Sequence, residues 1–504
     1  MKNLARAMER HAKSRSHISS ALKLQLFGRV RIDEALSQAA AIGVLRHNEQ
    51  VVKNRDLLRK LIIAVLYLGQ QEHAFRGHDE SATSKNKGNF VQLLETFSEF
   101  DPALAEHLKT STIFKGTSKS IQNDIIDSIA TVVNNAIDQE IQSTDFFAIQ
   151  ADDTTDVSCK CQLSVILRYV NVSGAICERF LGFHDVSANR DAESLSEVLM
   201  KVIQKYNPEA KLICQTYDGA SCMSGQQGGV RARVKEQCPH ALFAALDCFH
   251  NFFTRSPKRP LLDLRRWFDY IDSTLKSLKA LRTDKIFQEV YDNTVRAVGH
   301  EDGRRKQRFH CSEQGEDPSI TDSYRSLFYE IMDAVICQMT ERFSDMKSLN
   351  FFRLLDFSAF ADFAKPKGFP DAELASLLKV YPFFDSWRLK NELLVVYEEK
   401  RFHKAPSDLL QMIIQDDLHS TLPELFRLLK LMLTIPVTTV SAERSFSGLK
   451  RVKTYLRSNC GQERLSHLAT ISLESALIDE LKTTGVFYDR VIDTFAAKKD
   501  RRMD

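Results

Sequence analysis

Two aspartates sit where a divalent cation could be held. Asp152 closes the apolar run Phe146-Phe147-Ala148-Ile149-Gln150-Ala151, and Asp218 closes Leu212-Ile213-Cys214-Gln215-Thr216-Tyr217. Each run reads as a buried strand. Two carboxylates on neighbouring strands would offer a hard cation oxygen ligands on rigid supports, the arrangement behind metal-assisted phosphodiester chemistry. A third carboxylate, Glu443, lies in Ser441-Ala442-Glu443-Arg444-Ser445-Phe446-Ser447, after a helix break at Ile435-Pro436-Val437. Each of the three also has a plain structural explanation. Asp152-Asp153-Thr154-Thr155-Asp156 suits a turn after a strand, and Asp218-Gly219-Ala220-Ser221 suits a strand-to-helix turn capped by Ser221. Ser441 suits an N-cap, with Glu443 in the first turn complementing the helix dipole. Residue spacing alone leaves both explanations open.

Other chemistries find less support. Cys238, His240, Cys248 and His250 have the ligand types for zinc, but Cys-x-His pairs are cramped and Leu242 to Leu246 between them reads as a strand. Cys159 and Cys161 alternate along a strand and read as packing. No Walker-type glycine loop, GxSxG elbow or HExxH pair is present, so kinase, hydrolase and zincin activities have no footing.

The elements that must position these residues follow from periodicity. Residues 1–140 read as helical, with apolar residues recurring at Leu57, Leu58, Leu61, Ile62 and Val65 and a polar loop from Phe75 to Asn89. A helix is expected from about Ser118 to Gln142. An α/β region over 141–250 follows: a strand ending at Asp152, strands Gln162–Val170 and Ile176–Val186, and a helix Ala192–Tyr206. A strand reaching Asp218, a helix from about Met223 and a strand Leu242–Leu246 complete it. Three antiparallel strands, a helix and a strand returning beside the first is the ribonuclease H-like order. The expected fold class is therefore α/β, with a ribonuclease H-like core and an α-helical N-terminal region, and residues 251 to about 425 read as helical again.

Composition agrees with a globular chain. It has 504 residues, 43% hydrophobic and 27% charged, with a net charge of +3. No apolar run reaches the roughly 20 residues of a membrane span, and the first residues lack a signal-peptide run, which sets expectations against membrane and secretion. Ten scattered cysteines suggest a reducing compartment. Residues 1–60 carry 13 Lys/Arg against 5 Asp/Glu, which suits either phosphate contact or a solvated helix face.

The motifs together resemble the hAT superfamily of DNA transposases. The resemblance rests on Gln150-Ala151-Asp152-Asp153-Thr154-Thr155-Asp156, Tyr217-Asp218-Gly219-Ala220-Ser221 and Ser441-Ala442-Glu443-Arg444-Ser445-Phe446-Ser447. Arg76-Gly77-His78-Asp79-Glu80, Asn86-Lys87-Gly88-Asn89 and Tyr455-Leu456-Arg457-Ser458 narrow it to the transposase-derived subgroup of zinc finger MYM-type proteins and the repressor of the inhibitor of the protein kinase. The resemblance implies that the ribonuclease H-like core is interrupted by an α-helical insertion over 251–404 and completed by a helical C-terminal region over 405–482, with a tail over 483–504. It implies that Asp152, Asp218 and Glu443 are the catalytic carboxylates holding two Mg²⁺ or Mn²⁺ ions, with Asp156 an alternative to Asp152. It implies that the C-terminal helices form a dimerisation region, with Leu465, Leu468, Ile471, Leu473 and Leu477 packing against the core or a second subunit. It implies DNA as partner and a nuclear location, which the basic tail Lys498-Lys499-Asp500-Arg501-Arg502 would assist. Departures from the pattern set an expectation of a domesticated or inactive relative. Cys248-Phe249-His250 is one residue short, the insertion is shortened, Cys222 stands where the family has Asn, and the chain starts without an N-terminal zinc module.

Overall fold

The computed structural model describes residues 2–26, 38–81, 83–217, 221–225, 228–244, 264–301, 318–342, 344–436 and 440–499. The chain divides into two compact units, one of residues 1–68, 75–128 and 484–504, the other of residues 69–74 and 129–483.

The first unit is helical among its described residues. Its helices include Lys2–Ala12, Arg15–Leu26, Asn89–Ser98, Pro102–Thr110 and Phe487–Lys498, with most of Gln38–Gln70 and the start of Lys119–Gln142. Asp101 accepts from the N–H groups of Ala103 and Leu104, capping the helix that Pro102 opens. Arg55 bridges Asp489 and Asp493, each at 2.7 Å, and so ties the C-terminal helix to Gln38–Gln70. The loop between Phe75 and Phe90 closes on itself. Phe90 N–H donates to Phe75 O at 3.0 Å, and the two rings stack 6.3 Å apart. Gly77 and Gly88 cross at its neck, where a Cβ on Gly88 would lie 2.2 Å from Gly77 N.

The second unit is α/β. Its sheet holds β1 (Phe147–Thr155), β2 (Cys161–Val170), β3 (Ile176–Asp185), β4 (Leu212–Tyr217) and β5 (Leu242–Phe243) in the order β3-β2-β1-β4-β5. β1–β2 and β2–β3 are antiparallel, β1–β4 and β4–β5 parallel. The strand order expected from sequence is thus present in a mixed five-stranded sheet. β2 is buried on both faces, the odd-numbered one apolar and the even-numbered one carrying Gln162, Ser164 and Arg168; along β2 only Arg168 is not fully buried. The bulge at Gly182, φ +141°, shifts β3 against β2.

Several boundaries differ from expectation. β1 does not stop at Asp152 but runs to Thr155, because β2 pairs with it as far as Cys161 while β4 leaves it at Ala151. Polar residues are tolerated on that stretch, which is paired along one edge alone. Cys159 is not on a strand: it sits exposed in the β1–β2 turn at φ +58°, and Cys161 alone enters β2. The helix expected from Met223 is two short pieces, Ser221–Ser224 and Val230–Gln237. Of the strand expected to Leu246, Leu242–Phe243 is formed, and residues 245–250 lie outside the described residues.

Helical segments between residues 344 and 435 share a core with the sheet. Phe146, Ala148, Ile213, Cys214 and Leu242 pack with Phe351, Phe360, Leu389, Leu393, Leu425 and Leu429. Buried tyrosine hydroxyls anchor it, Tyr381 donating to Ile213 O at 3.0 Å and Tyr397 to Leu354 O at 2.8 Å. No described helix is long and apolar enough to cross a membrane.

Candidate functional site

Asp152 is the first residue of β1 beyond its pairing with β4. The parallel register runs to Ala151 opposite Tyr217, the residue before Asp218. Asp218 itself lies outside the described residues. On its other side Asp152 faces Ser164 of β2. Partners in register point to the same side of a sheet. Ser164 Oγ lies 2.7 Å from Ser445 Oγ on the helix Val440–Val452, so that side carries this helix. Asp152 Oδ1 accepts from the N–H of Asp153 at 2.8 Å. Asp153 pairs with Arg190, and Cys222 Sγ is 3.2 Å from Arg190 O.

Glu443 is on the same helix but exposed. It precedes Ser445 by two residues, about 200° around the helix. Ala442, Ser445, Leu449 and Val452 form the buried side, so Glu443 lies on the side turned from the sheet. The structure thus brings the helix of Glu443 to the strand beside Asp152, with Glu443 on its exposed side. A hard cation needs several oxygens converging on one point. Among the described residues, no group of three metal-ligating side chains includes Asp152 or Glu443.

Asp156 is not available as a ligand. Its carboxylate accepts from Lys453 Nζ at 2.6 Å and Gln162 Nε2 at 3.1 Å, and from the N–H groups of Ser158 at 2.7 Å and Lys160 at 3.2 Å. It is the keystone of the β1–β2 turn. The turn is fastened to the C-terminal region by Ser158 donating to Ser458 O at 3.0 Å and by the mutual amide pair of Gln162 and Gln462.

Two ion networks hold the C-terminal helices on the sheet. Arg168 and Glu178 are register partners, 2.7 Å apart. Arg168 Nε donates to Leu433 O at the end of helix Pro423–Thr434. Glu178 accepts from Ser441 at the start of Val440–Val452. The pair therefore grips both sides of the Pro436 break. Burial pushes the Glu178 carboxyl up, but Arg168, Ser441 and Gln150 outweigh it and hold it low. Below, Glu474 accepts from Phe180 N–H at 2.7 Å and from Arg179, which also reaches Glu140.

Of the cysteine–histidine cluster, Cys238 and His240 are described, and both are engaged in packing. Cys238 is fully buried, and burial pushes its thiol to about 11. His240 Nδ1 is 3.0 Å from Val380 O, and its ring packs on Phe383. Cys248 and His250 lie outside the described residues.

On helix Gln462–Leu473, Leu465, Leu468 and Ile471 are buried within the chain's own fold, Leu473 is half-buried, and Leu477 is buried on the next helix. Ser466 donates to Phe183 O and accepts from Phe183 N–H, fixing this helix on β3. Lys453, Arg168, Glu178, Arg179 and Glu474 were not singled out from the sequence. The available signal was charge inside otherwise apolar strands, at Arg168 and at Glu178-Arg179.

Comparison with known proteins places these features. Residues 6–229 match the ZMYM1/FAM200 RNase-like domain, and residues 394–477 match the hAT family C-terminal dimerisation region. The 52 kDa repressor of the inhibitor of the protein kinase from Homo sapiens is 26% identical over 38% of this chain and 26% of its own length. The protein of the same name from Mus musculus is 25% identical over 42% of this chain and 28% of its own. The chain thus aligns with about a quarter of the length of these relatives. It is similar at 6–229 to an RNase-like domain of the ZMYM1/FAM200 kind and at 394–477 to the hAT family C-terminal dimerisation region.

Proposed function

We propose that this chain is a hAT transposase-like protein that keeps the fold and self-association of its family, associates with DNA in the nucleus, and no longer cuts DNA. In this reading the β3-β2-β1-β4-β5 sheet is a ribonuclease H-like core, and the helices between β5 and Val440–Val452 are its insertion. The mixed pairing of the strands and the match to an RNase-like domain support that reading. Self-association is supported by the match to the dimerisation region. DNA association is supported by the excess of basic residues over 1–60.

The observation that carries the loss of cutting is the placement of Glu443 on the exposed side of its helix, away from the side that meets Ser164. Positioning tolerances in metal sites are tight, and a carboxylate on the wrong side of a helix does not meet them. The alternative is an active enzyme, in which Asp152, Asp218 and Glu443 would hold Mg²⁺ or Mn²⁺. Register supports that alternative at one point, since Ala151 and Tyr217 pair immediately before the two aspartates. A further alternative is a scaffold for transcriptional partners that does not touch DNA.

Calorimetric titration with Mn²⁺, alongside plasmid nicking in Mn²⁺, separates these. We expect no binding that depends on Asp152 or Asp218 and no nicking. Stoichiometric binding lost in Asp152→Ala/Asp218→Ala, or nicking lost in Asp152→Ala, would overturn the inactive reading. Retention of a labelled duplex that weakens steeply with salt separates DNA association from a pure scaffold.

A further inference from the structure

Of the apolar residues expected to pack against the core or a second subunit, Leu465, Leu468 and Ile471 are buried inside the chain. Self-association therefore needs another surface. We propose that two copies pair through the outer side of helix Ser386–Glu398, with Trp387 as the anchor of each copy. This rests on the self-association stated above and names its surface.

Trp387 is 79% exposed, the most exposed large apolar residue of this helix, and Val395 is 43% exposed. Asn391 is also exposed and Leu394 half-buried. Positions 387, 391, 394 and 395 fall at i, i+4, i+7 and i+8, one continuous stripe. The helix beneath is held firmly. Leu389, Leu393, Val396 and Tyr397 are buried, and Asp385 caps it by accepting from Arg388 N–H at 3.0 Å. Glu392 accepts from Arg388 and from the N–H of Leu425. An exposed tryptophan on a rigid support loses little entropy on docking, which is the usual character of an interface anchor.

Two observations select a second copy as the occupant. The match to the hAT dimerisation region begins at Leu394, so it takes in the C-terminal end of this stripe, Leu394 and Val395, with Glu398, and Trp387 lies one to two turns before it on the same helix. The stripe is also self-complementary in charge, with Lys390 toward one end and Glu398 at the other. Two copies laid antiparallel about a two-fold axis at Leu394 place each Lys390 opposite the other copy's Glu398. Such a surface satisfies the isologous rule, in which one patch meets itself. Lys390 already lies 2.5 Å from Asp371, an exposed pair of small net value that a new partner can replace.

A competing surface is Tyr324, Leu327, Ile331 and Val335 on helix Pro318–Arg342, also exposed. Sedimentation velocity of the full chain over a concentration series decides, with circular dichroism confirming each variant's fold. Trp387→Glu and Val395→Glu are expected to weaken the wild-type dimer by roughly tenfold or more, and Ile331→Glu to leave it intact. Lys390→Glu and Glu398→Lys should each weaken it, and the double reversal should restore it. A folded Trp387→Glu or Val395→Glu that dimerises like wild type overturns the proposal. So does a dimer lost in Ile331→Glu alone, or a double reversal that fails to restore. A wild-type chain that stays monomeric throughout overturns self-association itself, a result distinct from the others.

Discussion

Lys453 and Asp156, 297 residues apart in sequence, form an ion pair 2.6 Å long with side chains 2% and 1% exposed. It joins the β1–β2 turn to the end of helix Val440–Val452. Burial pushes the Asp156 carboxyl up, but Lys453 and the N–H groups of Ser158 and Lys160 outweigh it and hold the carboxyl below its ordinary range. A carboxylate held low contributes stability above its unfolded pKa, near ~3.9, and that contribution is lost as pH falls through the folded value. Removing one member leaves the other charged in a dry site, so Asp156→Asn or Lys453→Met should each cost about 3–5 kcal/mol. The double variant Asp156→Asn/Lys453→Met should cost clearly less than the two singles added. Urea unfolding at neutral pH measures all three, and strictly additive costs would refute the coupling.

Glu474 titrates in the opposite sense. Burial drives its carboxyl up, and the N–H of Phe180 and the Arg179 guanidinium bring it only partly back. The folded protein therefore holds this proton more tightly than the unfolded chain. Stability contributed by the protonated form is present below the unfolded pKa, near ~4.3, and falls as pH rises through the higher folded value. Glu474→Gln keeps an acceptor for Phe180 N–H without the charge. We expect its unfolding midpoint to decline less than that of wild type between about pH 4.5 and neutrality. The same decline in both proteins would show that the slope comes from elsewhere.

The strand order could be read from the chain because β2, β3 and β4 carry apolar runs bounded by turns, which local periodicity reports directly. β1 was misjudged at its end. Asp152-Asp153-Thr154-Thr155 has turn composition, and only the pairing with Cys161 to Ser164 keeps it extended. The destination of Leu465, Leu468 and Ile471 was not legible at all. Helical spacing announces a buried side and is silent on whether the cover is the same chain or another. The same limit applies to Glu443. Its place in the first turn after Ser441 was visible, but which side of the helix meets the sheet is set by Ser445 bonding Ser164, 281 residues away.

Gly88 tests the closure of the Phe75–Phe90 loop. Its φ of +89° lies in the region that L side chains avoid, and a Cβ there would meet Gly77 N at 2.2 Å. That atom and the Arg76 carbonyl carbon, 2.6 Å away, both belong to the backbone, so the backbone itself would have to move. Gly88→Ala should therefore cost more than the about 1–3 kcal/mol of a strained backbone alone, and the loop neck should open. Limited proteolysis should cut within residues 76–89 faster than in wild type, with a lowered melting temperature. An unchanged digestion pattern would mean that the glycine crossing does not hold the loop.

Glu443 and Ser445 make a paired test of the side on which each residue lies. Ser445 is buried, donates to Ala442 O at 2.7 Å and lies 2.7 Å from Ser164 Oγ. Ser445→Ala leaves the Ser164 hydroxyl buried without that partner and should cost about 1–3 kcal/mol. Glu443 faces solvent, so Glu443→Ala should stay within about 0.5 kcal/mol of wild type. Urea midpoints of the two variants, measured side by side, should differ accordingly. A loss in Glu443→Ala as large as that in Ser445→Ala would mean that Glu443 turns inward toward β1 and would reopen a role for it beside Asp152. Unchanged stability combined with the loss of any measurable DNA nicking would assign the carboxylate to chemistry rather than to the fold.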